Sequence, residues 1–302
     1  MTTKSTLKEI EESKEETILK KSGMVALIGR ANVGKSTLLN ALVGTKLAIA
    51  SPKPQTTRHV IQGVLNTQDG QAVFIDTPGY FQEKHSPLTP KLNQKIFETI
   101  HGMDLILYVT DPTRQIGSEE RFMLSVLRKT KSPKILIINK IDLSEKELPF
   151  LEDYRALSEE FDQIIEISAL KSKNIKSLIP LIFEYLKQGE PLYPPDSITN
   201  INQKFFISEL IREKLFNTLG DEVPYTTNVE VENIKDKKDI LVIEAVVLTT
   251  AERYRRMIIG RGGRKIKEMG STARKELEVI MNRKVYLDLR VEIDKNWERR
   301  FE

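Results

Sequence analysis

The sequence predicts two folded units in series: an α/β unit with a mostly parallel sheet and helices on both faces, then a smaller α+β unit. Three observations lead there. Residues 24–187 alternate short apolar runs with helical patterns, as expected when covering helices join the strands of a parallel sheet. Residues 189–204 (GEPLYPPDSITNINQK) break that pattern with three prolines and many polar residues, which reads as a linker. Beyond it the order of elements changes, and a glycine cluster, Gly260–Gly263, falls between two helical stretches. The boundaries are a charged extension at 1–22, a first unit at 23–188, a linker at 189–204 and a second unit at 205–302. A chain of 302 residues suits two domains at about 100–200 residues each.

In the first unit the strand candidates are Met24–Ile28, Ala72–Ile75, Leu105–Val109, Lys134–Ile138 and Ile164–Ile167. They lack polar alternation, as strands buried on both faces do. Helical patterns cover 35–43, 118–130, 150–161 and 174–187. In the second unit a helix at Phe205–Leu219 precedes strands at Thr226–Ile234 and Ile240–Leu248, separated by the charged turn KDKKD. A short helix at Arg253–Ile259, a longer one at 264–281 and a strand at Val285–Ile293 complete the order α-β-β-α-α-β. Within the longer helix Ile266, Met269, Ala273, Leu277 and Ile280 share one face by spacing.

Composition excludes several classes. With no cysteine there is neither a disulfide framework nor a thiolate metal site. Three histidines, at 59, 85 and 101, argue against a histidine metal site. No apolar run reaches the roughly 18–20 residues of a membrane-spanning helix. The first 22 residues carry five lysines and five glutamates, unlike a secretory or organelle leader, and read as a solvated lead-in to a cytoplasmic protein. The net charge of +4 is unevenly spread: residues 251–302 hold fifteen Lys/Arg against nine Asp/Glu. Seven basic residues and no acid lie within Arg253–Lys267. Alone, such a run is most simply a solvated face.

Gly29-Arg30-Ala31-Asn32-Val33-Gly34-Lys35-Ser36, followed by Thr37, fits the P-loop pattern at every fixed position, after a strand and before a helix. In such a loop backbone N–H groups curl around phosphates, Lys35 reaches the β/γ oxygens and Ser36 offers a hydroxyl to Mg²⁺. Asn139-Lys140-Ile141-Asp142 follows an apolar strand about a hundred residues later. There a carboxylate at Asp142 can accept two hydrogen bonds from guanine, a donor pair adenine lacks. Asn139 would brace the loop and Lys140 would cover the base. Ser168-Ala169-Leu170, after another strand, can place a backbone N–H at the guanine carbonyl. Asp76-Thr77-Pro78-Gly79 closes a strand; the aspartate can hold Mg²⁺ through water and the Gly79 N–H can register the γ-phosphate. Between these motifs the polar stretch Ser51–His59 offers Thr56 or Thr57 as a metal-binding hydroxyl; the sequence does not decide, and Thr57 is preferred. The expected catalytic set is therefore Lys35, Thr57, Asp76 and Gly79. Tyr80 follows at the position where many GTPases carry a water-orienting glutamine, and it cannot perform that role. Asn32 either braces the loop or helps ligate a monovalent cation such as K⁺.

Ile258-Ile259-Gly260-Arg261-Gly262-Gly263-Arg264-Lys265-Ile266 has the I-G-x-x-G core of a KH domain, in which a tight loop between two helices clamps about four nucleotides. The basic run and the glycine loop explain each other: Arg253, Arg255, Arg256, Arg261, Arg264, Lys265 and Lys267 meet phosphate, while Gly260, Gly262 and Gly263 permit close approach. The element order matches the type II KH arrangement.

Over almost its whole length the chain resembles the Era family of bacterial GTPases. The likeness rests on Gln55-Thr56-Thr57-Arg58-His59, Asp76–Gly79, Pro194-Pro195-Asp196, Ile211-Arg212-Glu213-Lys214, Glu222-Val223-Pro224-Tyr225 and the Gly260–Gly263 loop. It implies a P-loop GTPase domain followed by a type II KH domain, and Mg²⁺-dependent GTP hydrolysis. It also implies binding of 16S ribosomal RNA near its 3′ end, a role in 30S subunit maturation, peripheral contact with the inner membrane face, a link to the cell cycle, and a monomer. Two features depart from the family: the lead-in is longer, and the chain stops at Glu302, soon after Trp297, where similar proteins continue. That shortening is expected to weaken either packing at the edge or a membrane contact, and it touches no nucleotide motif. Two other readings are weaker. GTPases of late large-subunit assembly carry tandem P-loops, whereas this chain has one, and a tRNA-modification GTPase would need a different appended domain. A pure RNA-binding module would not retain Lys35, Ser36, Asp76 and Asp142.

Overall fold

The structure, a computed structural model, describes residues 20–49, 53, 56–81, 89–220 and 222–299. Most of the charged extension, with Ser51, Pro52, Pro54, Gln55 and His85, lies outside the described residues. The described residues form two sheets: a larger one with strand order β2-β3-β1-β4-β5-β6, to which the two-residue β7 is added against β1, and a three-stranded one of order β10-β9-β8.

The larger sheet is built from β1 (Lys21–Ile28), β2 (Ile61–Asn66), β3 (Gly70–Asp76), β4 (Leu105–Thr110), β5 (Lys134–Ile138), β6 (Gln163–Glu166) and β7 (Lys187–Gln188). All its pairings are parallel except β2 with β3 and β7 with β1. Its helices are α1 (Lys35–Val43), α2 (Thr89–Ile100), α3 (Ser118–Leu127), α4 (Leu151–Arg155) and α5 (Ile175–Tyr185). Val25 and Leu27 of β1 enter one core cluster, with α1 and α5, while Ala26 and Ile28 enter the other, with α2 and α3. This two-sided burial is why the strands read as unbroken apolar runs.

The structure departs from the sequence reading in four places here. β1 begins at Lys21 rather than Met24, because Lys21 pairs with Gly70 and Gln188 while its ammonium reaches the Phe183 carbonyl at 2.6 Å, near the negative end of α5. β2 is an unforeseen antiparallel strand in which Gly63 interrupts the alternation. α2 is also unforeseen, although Leu92, Ile96 and Ile100 recur every four residues on its buried face. The helix expected at 150–161 is one α-helical turn continued as a 3₁₀ stretch over Ala156–Glu160.

The second unit contains α6 (Gln203–Thr218), β8 (Thr227–Lys237), β9 (Ile240–Thr249), α7 (Glu252–Ile259), α8 (Arg264–Met281) and β10 (Lys284–Ile293). β8 and β9 pair antiparallel, and β9 and β10 pair parallel. Ile207, Leu210, Ile211 and Leu215 of α6 pack with Ile258, Met269, Ala273 and Leu277 over Ile243, Ala245 and Val247 of the sheet. The charged segment read as a five-residue turn is mostly strand: β8 runs to Lys237 and only Lys238-Asp239 turns.

The linker is fastened down. Val64 donates to the Ile198 carbonyl at 2.8 Å and Asn66 to the Pro195 carbonyl at 2.8 Å. The Gln71 carboxamide exchanges hydrogen bonds with the Tyr193 backbone, both at 2.8 Å. Residues 193–199 thus occupy the free edge of β2, whose unpaired backbone groups need partners. The two units also meet directly, where Leu92 of α2 is buried with Val246, Leu248 and Trp297.

Candidate functional site

The phosphate loop spans the end of β1 and the start of α1. Lys35 is buried, and its ammonium donates to the Gly29 and Arg30 carbonyls at 3.0 and 2.7 Å. The Arg30 side chain turns inward, to Glu120 and the Tyr154 hydroxyl, so only its backbone serves the loop. Arg114 donates to the Ala31 carbonyl at 2.8 Å, bracing the loop from outside. Gly79 lies so near that a Cβ there would fall 2.5 Å from the Ala31 Cα, which is why no larger residue fits. Burial pulls the Lys35 ammonium down to about 8, against the attraction of Asp76 and Glu120. Phosphate oxygens would hold it in its charged form.

The metal-side groups converge. Ser36 Oγ lies 2.6 Å from Asp76 Oδ2 and 2.9 Å from Thr57 Oγ1. The Thr56 hydroxyl instead donates to the Lys53 carbonyl at 2.6 Å, so Thr57 is the threonine brought to the cluster. Asp76 is fully buried, and its Oδ1 has no hydrogen-bond partner among the described residues. Burial pushes its carboxyl up to about 6, opposed by Lys35 and the Ser36 hydrogen bond. An all-oxygen donor set with an orphaned buried carboxylate oxygen fits a hard divalent cation such as Mg²⁺.

The base side is tied to the phosphate side by one residue. Asn139 Nδ2 donates to the Val33 carbonyl at 2.8 Å, and Asn139 Oδ1 accepts from the Ala169 N–H at 2.9 Å. Asp142 accepts from the Ser168 hydroxyl at 2.6 Å, which fixes one carboxylate oxygen. Lys140 pairs with Asp111, a residue missed from sequence that follows β4. The Asp111 carboxyl is held below the ordinary range: burial opposes ionisation, but hydrogen bonds from Lys140 and Thr113 outweigh it. A cavity of about 520 Å³ collects Asn32, Lys35, Ser36, Thr57, Gly79, Asn139, Lys140, Asp142 and Leu170 along its walls, with Ile49 and Leu143 as unforeseen apolar neighbours.

Several expected contacts are not made by side chains. Tyr80 is buried away from the cavity, stacked on Phe122 at 4.9 Å and edge-on to Phe97 at 6.3 Å. Its N–H donates to the Gly29 carbonyl, so it buttresses the loop. Thr77 donates to the Leu27 carbonyl at 2.9 Å, fastening the strand end. Val33 is fully buried, and Pro78, Ile141 and Ala169 do not line the cavity.

In the second unit α7, the glycine loop and α8 form a basic corner. Arg261, Arg264 and Lys267 are exposed, and with Lys265 they have no ion-pair partner among the described residues. The helix residues differ: Arg253 lies over the Tyr254 ring at 4.4 Å, and both Arg255 and Arg256 pair with Glu252 at 3.3 Å. Gly262 has φ 60° with open space above it, so a backbone can approach closely.

The comparisons decide what this pairing of sites belongs to. A family model described as a 50S ribosome-binding GTPase matches residues 24–140, and a KH domain model matches residues 222–298. GTPase Era of Thermoanaerobacter sp. (strain X514) is 42% identical over 285 residues, covering 92% of this chain and 92% of its own. The chain belongs to the Era family of GTPases. A crystal structure of Era with MgGDPNP and nucleotides 1506–1542 of 16S ribosomal RNA superimposes with a TM-score of 0.84 at 36% identity, covering 93% of this chain and 96% of that one. A crystal structure of an Aquifex aeolicus Era variant bound to GDP·AlF₄⁻ gives 0.84 at 37% identity over the same shares.

One further Era-family residue was quoted from sequence without a role. Arg58, next to Thr57, leaves its own unit: it is 1% exposed and donates to the Thr227 carbonyl at 2.7 Å. Its guanidinium lies between the Phe216 and Trp297 rings, 5.6 and 5.4 Å from their centroids. Trp297 is likewise 1% exposed.

Proposed function

We propose that the chain binds GTP and GDP with Mg²⁺ in the cavity between Lys35 and Asp142, hydrolyses GTP, and clamps 16S ribosomal RNA near its 3′ end at the Gly260–Gly263 loop. On this reading it works as a switch in 30S subunit assembly and rRNA processing. The observation that carries the nucleotide half is the double hydrogen bond of Asn139, which fixes the base loop to the phosphate loop. A cavity walled by both ends is shaped for a nucleotide rather than a phosphate alone.

Lys35 and the helix N-terminus hold the β/γ phosphates, Ser36 and Thr57 hold the ion with Asp76 behind them, and the Gly79 N–H faces the γ-phosphate. Gly29–Thr37, Asp76–Gly79, Asn139–Asp142 and Ser168–Leu170 make up the nucleotide-binding segments, with Tyr80 buttressing the loop from behind. The ion supplies neutralisation of charge on the phosphate oxygens. Asp142 accepts from guanine, while Leu170 lines the carbonyl side. The RNA half rests on Arg261, Arg264, Lys265 and Lys267, which have no ion-pair partner among the described residues, and on the relative seen with a 16S fragment. Arg261, Arg264, Lys265 and Lys267 make the phosphate contacts; Arg253, Arg255 and Arg256 support them from α7.

The site of action is the cytoplasm; among the described residues no helix is long and apolar enough to cross a membrane. Peripheral membrane contact, a cell-cycle link and a monomeric state rest only on the family resemblance. The reading is tested by GTP turnover with and without Mg²⁺, and by crosslinking the protein to 30S precursors. Mg²⁺-stimulated GTP turnover and crosslinks at the 3′ end of 16S RNA support it. Absence of turnover, or crosslinks confined to large-subunit RNA, contradicts it.

A further inference from the structure

Thr57 and Arg58 are adjacent, so their Cα atoms are only about 3.8 Å apart, yet their side chains serve different units. Thr57 Oγ1 sits 2.9 Å from Ser36 Oγ in the nucleotide site. Arg58 donates to the Thr227 and Pro224 carbonyls at 2.7 and 3.4 Å and is sandwiched by Phe216 and Trp297. Two carbonyls and two ring faces receive the guanidinium, against the cost of its burial and the repulsion of Arg212. Arg212 lies on Phe216 at 5.4 Å and is itself paired with Glu209 at 2.8 Å, and the Trp297 indole N–H is tied to the Thr226 carbonyl at 3.1 Å. The flanking residues are engaged by the second unit as well: His59 meets Phe205 edge-on at 5.0 Å, and Lys53 donates to the Leu219 carbonyl.

We propose that Arg58 is a positioning residue: seated in the Phe216–Trp297 socket of the KH-bearing unit, it holds Thr57 at the metal side of the nucleotide site. This rests on the nucleotide reading above. A threonine in this place contacts the metal when the γ-phosphate is present and lets go when it is absent. Docking of Arg58 therefore favours nucleotides that carry a γ-phosphate over GDP. By linkage, such a nucleotide tightens the socket, and with it the placement of the second unit, by the same factor. The coupling passes through a single peptide bond.

The test is a double-mutant cycle on the full chain, reading the affinities of fluorescent GDP and of a non-hydrolysable GTP analogue with Mg²⁺. Arg58→Ala is expected to weaken the analogue about fivefold or more while GDP changes less than about twofold. Thr57→Ala should do the same, and the double variant should be no worse than Thr57→Ala alone, because both remove one interaction. Trp297→Leu opens the socket from the far side and should reproduce the selective loss; Arg58→Lys, keeping the charge but not the paired carbonyl contacts, should recover part of it. If Arg58→Ala does not fold, the Trp297→Leu and Arg58→Lys pair carries the same test. Additive losses in the cycle, or an unchanged ratio of analogue to GDP affinity in a folded variant, overturn the proposal while leaving the site reading intact. A wild-type chain that binds neither nucleotide overturns both.

Discussion

Asn139 and Val33 are 106 residues apart and joined by a hydrogen bond of 2.8 Å from the Asn139 carboxamide to the Val33 carbonyl. The bond fixes the distance between the P-loop side of the cavity and the side carrying Lys140 and Asp142, proposed to hold phosphate and base. Gly34 takes part, since a Cβ there would fall 2.3 Å from the same Asn139 nitrogen.

Removing that brace should weaken both ends together. Asn139→Ala leaves the buried Val33 carbonyl and the Ala169 N–H without partners, each costing about 1–3 kcal/mol. GTP and GDP affinities should fall in parallel by about tenfold or more, read by equilibrium titration. A loss for GTP alone would place Asn139 on the γ-phosphate side instead.

Much of this site is legible in sequence because its contacts are local. The P-loop residues act within eight positions, so spacing fixes their chemistry. Thr56 and Thr57 could not be separated that way, since the choice depends on how the chain passes Ser36. Arg58 and Asp111 were illegible as functional residues for a related reason. Their partners, Thr227 and Lys140, are 169 and 29 residues away, and no motif announces the pairing. β2 and α2 were missed where a glycine or an intervening polar residue blurs the period; of the five α8 residues read as one apolar face, Met269, Ala273 and Leu277 are buried and Ile266 packs against them, whereas Ile280 is exposed.

His59 gives the seam between the units a pH dependence. Burial holds its imidazole down to about 4, with Glu209 opposing and Arg212, Lys95 and Arg58 adding to the depression. Between about pH 6.5 and 4 the unfolded chain binds a proton that the folded chain refuses. Stability is therefore complete above that window and lost as pH falls through it, by about 1–3 kcal/mol. His59→Asn should flatten this slope, measured as urea midpoints at several pH values; an unchanged slope would show that His59 does not cause it.

Hydrolysis by the isolated chain should be slow, because Tyr80 is stacked on Phe122 and no glutamine takes its place. Asn32, with φ 62°, lies on the cavity wall, and the proposal to test is that it helps hold a monovalent cation there. Replacing Na⁺ with K⁺ should raise turnover, and Asn32→Ala should abolish the difference. Equal rates in the two salts would leave Asn32 as a loop brace.

At the basic corner, changing Arg261 and Gly262 together to Asp puts two negative charges where phosphate would lie. Aspartate tolerates the left-handed backbone of position 262 better than most residues, so the fold should persist. RNA affinity should be lost at fixed salt while GDP affinity stays within about twofold. Retained RNA binding would move the clamp elsewhere.

The central claim is that this cavity selects guanine, and Asp142 tests it most directly. The Ser168 hydroxyl bonds Oδ1 at 2.6 Å, leaving the carboxylate oriented to accept from the base. In Asp142→Asn the paired acceptor is lost, so GTP should weaken by at least an order of magnitude, about 1.4 kcal/mol and upward. The carboxamide can instead donate to the C2 carbonyl of xanthine. The measurement is competition between GTP and xanthosine triphosphate on wild type and variant. A preference reversed in favour of xanthosine triphosphate is the predicted result; an Asp142→Asn protein that still prefers GTP contradicts the account.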